Sequence, residues 1–152
     1  MSTPNPLAPD QTQQSRGNLG FDLAQVSAIE SSLRTFGERF AQRLFTPQEL
    51  AYAGSGGGMR AERLAARFAA KEAVIKALGL SEAGVNWRDI EVVKFSDGAC
   101  AISLHGRAAH VAKAMGDPRL SLSLSHEGDY AGAVVMATFD PVRTTPNVHE
   151  DT

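Results

Sequence analysis

The stretch from Ala61 to Leu78 contains neither proline nor glycine, is rich in alanine and leucine, and ends at Gly79. That combination predicts a long helix with a glycine stop, around which the rest of the chain must fold. At about 100° per residue, Leu64, Phe68, Ile75 and Leu78 share an arc about 80° wide. Lys71 falls inside that arc, roughly 20° from Leu64, with Glu72 at its edge about 80° away and Lys76 one step beyond. A charge buried there without a partner is costly, so these residues need a counter-ion, a metal or a ligand. The plain alternative is an exposed Glu72–Lys76 pair at i, i+4, with Lys71 reaching to water along its alkyl stem.

At 152 residues the chain suits one domain with a proper core. Its net charge of −2 makes no global case for a nucleic-acid partner, so any anion site must be local. The single cysteine, Cys100, excludes an intramolecular disulfide and a CxxC metal site, and fits a reducing cytoplasm. No apolar run approaches a membrane span. The start, Met1 to Gln14, lacks the basic opening and apolar centre of a signal peptide. Residues 1–16 are expected as a disordered leader, 17–140 as the folded domain and 141–152 as a flexible tail.

Ahead of the long helix, Leu19 to Leu23 predicts a buried strand carrying Asp22. Ser27 and Glu30 have the spacing of a capping box opening a helix, with Ile29, Leu33, Phe36 and Phe40 on one side and a break at Gly37. Thr46-Pro47-Gln48-Glu49 is a second helix start. The run Gly54 to Gly58 lacks a Gly-Lys-Ser/Thr ending and predicts a linker rather than a phosphate loop. Downstream, Asp89–Phe95 and Ala99–Leu104 flank Asp97-Gly98, a hairpin signal. Gly106 to Met115 predicts a helix; Leu120–Ser125 and Ala131–Phe139 predict strands. The class is α+β, a mostly antiparallel sheet packed on one long helix.

Asp22 and Glu72 are the acids embedded among apolar neighbours; most others sit in turns, caps or tails. Two carboxylates with room for water suit Mg²⁺, which takes oxygen ligands and usually shares a substrate phosphate. Arg67, Lys71 and Lys76 supply more positive charge than Glu72 needs, which suggests a metal-bridged phosphate ester. His126, ending a strand whose one face is Ser121, Ser123 and Ser125, can donate to a phosphate; a solvated histidine is the alternative. No nucleophile elbow, zinc spacing, Walker loop or Rossmann fingerprint is present. Basic residues are not interleaved with aromatics, which disfavours nucleic acid.

Four blocks in order carry a resemblance: Gly20-Phe21-Asp22-Leu23; Phe40-Ala-Gln-Arg43-Leu-Phe45-Thr46-Pro-Gln-Glu49; Arg67-Phe-Ala-Ala-Lys71-Glu72-Ala-Val-Ile-Lys76-Ala; and Leu122-Ser-Leu-Ser125-His126-Glu-Gly-Asp-Tyr130-Ala. With them the chain resembles the holo-acyl-carrier-protein synthases, the small trimeric class of 4′-phosphopantetheinyl transferases. The resemblance implies that fold, a homotrimer with sites at subunit interfaces, and a Mg²⁺-dependent role in cytoplasmic fatty acid biosynthesis. In the implied reaction a serine of apo-acyl carrier protein attacks the β-phosphate of coenzyme A. Holo-carrier protein and adenosine 3′,5′-bisphosphate are the products.

By motif position, the resemblance makes Asp22 and Glu72 the metal ligands, with Lys76 neutralising phosphate charge. Arg67, His126 and Gly79 join Lys76 on the nucleotide side. Lys71 touches a phosphate or helps deprotonate the serine, and the base is a metal-bound water or Glu72. Arg34, Arg39 and Arg43 would receive the acidic carrier, against the alternative of a solvated arginine face. Phe21 stands where the family usually has a smaller aliphatic residue, Gly54 to Gly58 is an insertion, and Glu127 and Asp129 add acids beside His126. A catalytically silent coenzyme A or carrier-binding module of the same fold predicts loss of a metal acid or of Lys76; all are present.

Overall fold

The computed structural model describes residues 16–141. Apart from Arg16 and Pro141, the segments expected as leader and tail lie outside the described residues. Strand β1 (Arg16–Gln25) runs directly into α1 (Val26–Phe36), followed by α2 (Glu38–Leu44), α3 (Pro47–Gly54) and the long α4 (Arg60–Leu78). A 3₁₀ turn (Trp87–Asp89) leads to β2 (Ile90–Lys94) and β3 (Cys100–Leu104), then α5 (Gly106–Ala114), β4 (Arg119–Glu127) and β5 (Tyr130–Phe139). The α+β expectation holds, with the strands divided into a three-stranded sheet, β1-β5-β4, and the hairpin β2-β3, all antiparallel.

Local chemistry sets the boundaries. Thr46 and Glu49 form the expected capping box of α3, through Glu49 N–H to Thr46 Oγ1 at 3.2 Å and Thr46 N–H to Glu49 Oε1 at 2.9 Å. Gly37, at φ 67°, divides the expected single helix into α1 and α2, and Gly79, at φ 63°, closes α4. The capping box expected at Ser27 and Glu30 does not form. Because β1 passes straight into α1, the helix already begins at Val26, with no side-chain cap at Gln25. Its free amides are met instead from the β4–β5 turn. Asp129 accepts from Ser27 N–H at 2.9 Å and Ser27 Oγ at 2.5 Å, and its carbonyl accepts from Val26 N–H at 2.8 Å.

Along β1 the side chains alternate. Gly20, Asp22 and Ala24 face α4, in register with Val135, Ala133 and Ala131 of β5, while Leu122 and Leu124 continue that face on β4. Alanine dominates the opposing surface of α4: Ala65, Ala69, Ala70, Ala73 and Ala77 are all buried. This corrects the wheel, which placed burial on Leu64, Phe68, Ile75 and Leu78; Phe68 and Ile75 are only half-buried. Small side chains let a helix lie close to a sheet, and hydrophobicity alone undervalues them. The closest approach is at Gly20, where a Cβ would fall 1.8 Å from the Ala73 carbonyl oxygen. On the sheet's other face Leu19, Phe21 and Leu23 stand 71, 55 and 57 % exposed beside Val134 and Met136.

Candidate active site

Gly20 brings α4 onto β1, and two residues further along the strand Asp22 meets Glu72. The two carboxyl groups are near enough for Asp22 to disfavour ionisation of Glu72. Burial first, and then Asp22, push the Glu72 carboxyl above its ordinary range, with Lys76 opposing them. Lys76, one turn beyond, donates to Asp22 Oδ1 at 2.8 Å and to the Phe21 carbonyl at 3.0 Å. The bond to Asp22 raises its ammonium above the usual value, so it stays charged. Its hydrogen bonds thus run to β1, not to Glu72 as the simple surface pair required. The Asp22 side chain is 12 % exposed, and the Lys76 ammonium covers it from the solvent side.

Two crowded carboxylates with one lysine are an oxygen donor set short of positive charge. Among the described residues no cluster of three or more His, Cys, Asp or Glu forms a complete protein cage. Mg²⁺ does not need one: it is commonly held by one or two carboxylates, its waters and substrate phosphates. The residues present fit it.

A cavity of about 290 Å³ opens beside the first half of α4, and Arg67 and His126 both line it. Arg67 is 3 % exposed and donates to the Arg63 carbonyl at 3.2 Å, while its buried Nε has no partner among the described residues. Burial lowers its guanidinium from the ordinary value. His126 is exposed at the end of β4 and also borders a groove on the outer sheet face with Phe21 and Leu23. Along the helix axis Arg67 precedes Glu72 by about 7.5 Å. Three further residues of the cavity, Tyr52, Arg63 and Lys94, were not singled out from the sequence.

Lys71 is placed elsewhere. It points into the interior, wholly buried against an equally buried Glu49, with Nζ 2.7 Å from Glu49 Oε1. Its remaining bonds go to the carbonyls of Trp87, at 3.1 Å, and Ile90. The other Glu49 oxygen accepts from Val92 N–H at 3.0 Å. Burial pulls the Lys71 ammonium down while Glu49 holds it up. All its donors are committed, so the expected contact with a phosphate or a serine is not available. Glu49 was read only as a cap; nothing local signals that it is also a counter-ion to a lysine in the next helix.

Gly79 is exposed and ends α4 with its N–H on the Ile75 carbonyl, outside the cavity that holds Arg67. The three docking arginines are exposed but belong to two helices, Arg34 to α1 and Arg39 and Arg43 to α2. Arg34 pairs weakly with Glu30 at 3.8 Å. Asp129, expected to compete at His126, is instead engaged with Ser27.

Residues 18–135 match the model of the 4′-phosphopantetheinyl transferase superfamily. A holo-[acyl-carrier-protein] synthase of Koribacter versatilis is 44 % identical over 118 residues, 77 % of this chain and 94 % of that protein. One from Halorhodospira halophila is 46 % identical over 119 residues, 78 % of this chain and 94 % of its own. Among solved structures, an ACPS–CoA complex from Chronobacterium ammoniagenes superposes with a TM-score of 0.72 at 35 % identity, covering 82 % of this chain and 98 % of that one. The holo-[acyl-carrier-protein] synthase of Neisseria meningitidis gives 0.72 at 34 % identity, covering 79 % and 96 %.

Proposed function

This chain belongs to the 4′-phosphopantetheinyl transferase superfamily, and from that membership we propose the reaction of a holo-acyl-carrier-protein synthase. It transfers the 4′-phosphopantetheine arm of coenzyme A to a serine of apo-acyl carrier protein. The serine oxygen forms a bond to the β-phosphorus, the bond from that phosphorus to the bridging oxygen breaks, and adenosine 3′,5′-bisphosphate leaves. The observation that carries the reading is the meeting of Asp22 with Glu72 on the same helix that presents Arg67 to a basic cavity.

Asp22 and Glu72 would hold Mg²⁺. When bound, that ion would supply positive charge against the pyrophosphate. Lys76, already protonated and exposed, turns from Asp22 to the α-phosphate or bridging oxygen and stabilises the leaving charge. Arg67 and His126 bind the nucleotide's phosphates at the far end, its 3′-phosphate among them. Phosphoryl transfer depends on positioning and charge neutralisation more than on covalent catalysis, so a site without a nucleophile suffices. The serine proton would pass to Glu72 or to a water beside it. Lys71 has no part in the chemistry.

Arg34, Arg39 and Arg43 receive the acidic carrier. The apolar face formed by Leu19, Phe21, Leu23, Val134 and Met136 supports a homotrimer, because so large an exposed patch on a small domain normally meets a partner. Fatty acid biosynthesis in a reducing cytoplasm is the setting this implies. Against the silent-module reading stands the presence of every charged group in the site.

The test is the mass of an apo-acyl carrier protein incubated with the chain, coenzyme A and Mg²⁺. Addition of one phosphopantetheine arm is expected, and no addition with several carriers would refute the reaction. Glu72→Gln is expected to slow transfer by at least about 100-fold with the fold retained.

A further inference from the structure

Cys100, the chain's one cysteine, is half-buried on the wall of the basic cavity that also holds Arg67. It opens β3 directly opposite Lys94 of β2, and residues paired across antiparallel strands project to the same side of the hairpin. Lys94 is exposed there and donates to the Tyr52 hydroxyl at 2.9 Å, with its Nζ 4.9 Å from the Tyr52 ring centre. The guanidinium carbons of Arg63 and Arg67 lie 4.2 and 4.3 Å from that same ring. Among the described residues lining the cavity, Glu62 is the one carboxylate. Burial weakens the charged form of Arg67, but negative charge on Cys100 is near enough to favour it. Independently, the buried Arg67 Nε has no partner among the described residues, which leaves an unused donor on the same wall. A thiol among surplus cations, partly open to solvent, has the surroundings in which cysteines react.

We propose that Cys100 is a thiol–disulfide exchange site for small disulfides that carry carboxylates, and that the adduct closes the cavity to the co-substrate. The second half rests on the transferase reading. In the exchange, the Cys100 thiolate forms a bond to one sulfur of the disulfide. The original sulfur–sulfur bond breaks, and the other half leaves as a thiolate that takes a proton from water. No further oxidant is needed, since the incoming disulfide is itself reduced as Cys100 is oxidised. Arg63, Arg67 and Lys94 attract the carboxylates before the exchange and hold them after it. An adduct of tripeptide size in a cavity of about 290 Å³ then competes with a nucleotide phosphate for those cations. Because a thiol reductant reverses the bond, the block lasts only while disulfides are abundant.

The experiment follows the intact mass of the full chain at neutral pH with oxidised glutathione or with cystamine, a disulfide of opposite charge. One glutathionyl group is expected on the wild type and none on Cys100→Ala. The anionic disulfide is expected to react about tenfold faster than cystamine, relative to their rates with free cysteine, and salt should narrow that gap. Lys94→Met, a change at an exposed strand end, reduces the preference several-fold, and inorganic pyrophosphate slows the adduct. Transfer from coenzyme A should fall in proportion to the fraction modified and return with dithiothreitol, while Cys100→Ala is untouched by the same treatment. No adduct, or cystamine reacting as fast as oxidised glutathione, overturns the exchange site. A fully modified chain that still transfers overturns the closure. A wild type that transfers nothing refutes the transferase reading alone, because adduct rate, charge preference and pyrophosphate protection still decide this one.

Discussion

Gly20 lies so close beneath Ala73 that the backbone of α4 occupies the place of its missing side chain, with only 1.8 Å between an added Cβ and the Ala73 oxygen. The neighbours of these two residues, Asp22 and Glu72, form the carboxylate pair. Gly20→Ala must push α4 outward, since backbone cannot yield as a flexible side chain does. A loss of about 1–3 kcal/mol is expected, with a larger fractional loss of transfer. Gly17→Ala on the same strand is the control, because its Cβ would meet only the Ala137 oxygen at 3.8 Å. Thermal melts and turnover of both variants test this; equal tolerance would refute it.

The interior Lys71–Glu49 pair makes a different prediction. Lys71→Met leaves Glu49 buried and unpaired, and a loss of about 3–5 kcal/mol is expected. Adding Glu49→Gln removes the stranded charge and should restore part of the stability and, with it, the activity of the folded fraction. If Lys71→Met were instead stable and inactive, Lys71 would have to act in the reaction. Denaturant unfolding beside kcat distinguishes the two.

Asp129 ties stability to pH. Its bonds to Ser27 lower its pKa in the fold from the ordinary value of 3.8. A depressed carboxylate contributes stability above its unfolded-state pKa, and the contribution disappears as pH falls through the folded-state value. Wild type is therefore expected to melt above Asp129→Asn at neutral pH, and the two melting curves should converge in acid below that folded value. A constant gap across the series would remove the charge from the explanation.

For the carrier face, Arg39→Glu is expected to raise KM for the carrier several-fold while that for coenzyme A changes little. The difference should shrink as salt rises from low to physiological levels. Steady-state kinetics at two ionic strengths check it; equal changes in both KM values would point away from α2 as a docking surface.

Periodicity and punctuation made most elements legible: Gly37, Thr46-Pro47 and Gly79 mark boundaries that the structure keeps. Asp22 and Glu72 were legible because an acid among apolar residues has few stable surroundings. Lys71 was equally conspicuous for the same reason, yet its partner is a protein carboxylate. Periodicity cannot tell a buried charge paired internally from one awaiting a ligand. The contacts Lys71–Glu49, Ser27–Asp129 and Tyr52–Lys94 each join segments remote in sequence and leave no local pattern. Gly20 stood within a quoted motif, but its close approach is a property of the helix above it.

The β4–β5 turn has a consequence for anyone building chimeras. Within the four residues His126 to Asp129 the chain passes from the wall of the basic cavity to the group that starts α1. A turn transplanted from a relative would therefore alter two recognition events at once unless residue 27 travelled with it. Conversely, a ligand that reseats His126 has a short lever on the angle at which α1 leaves the sheet.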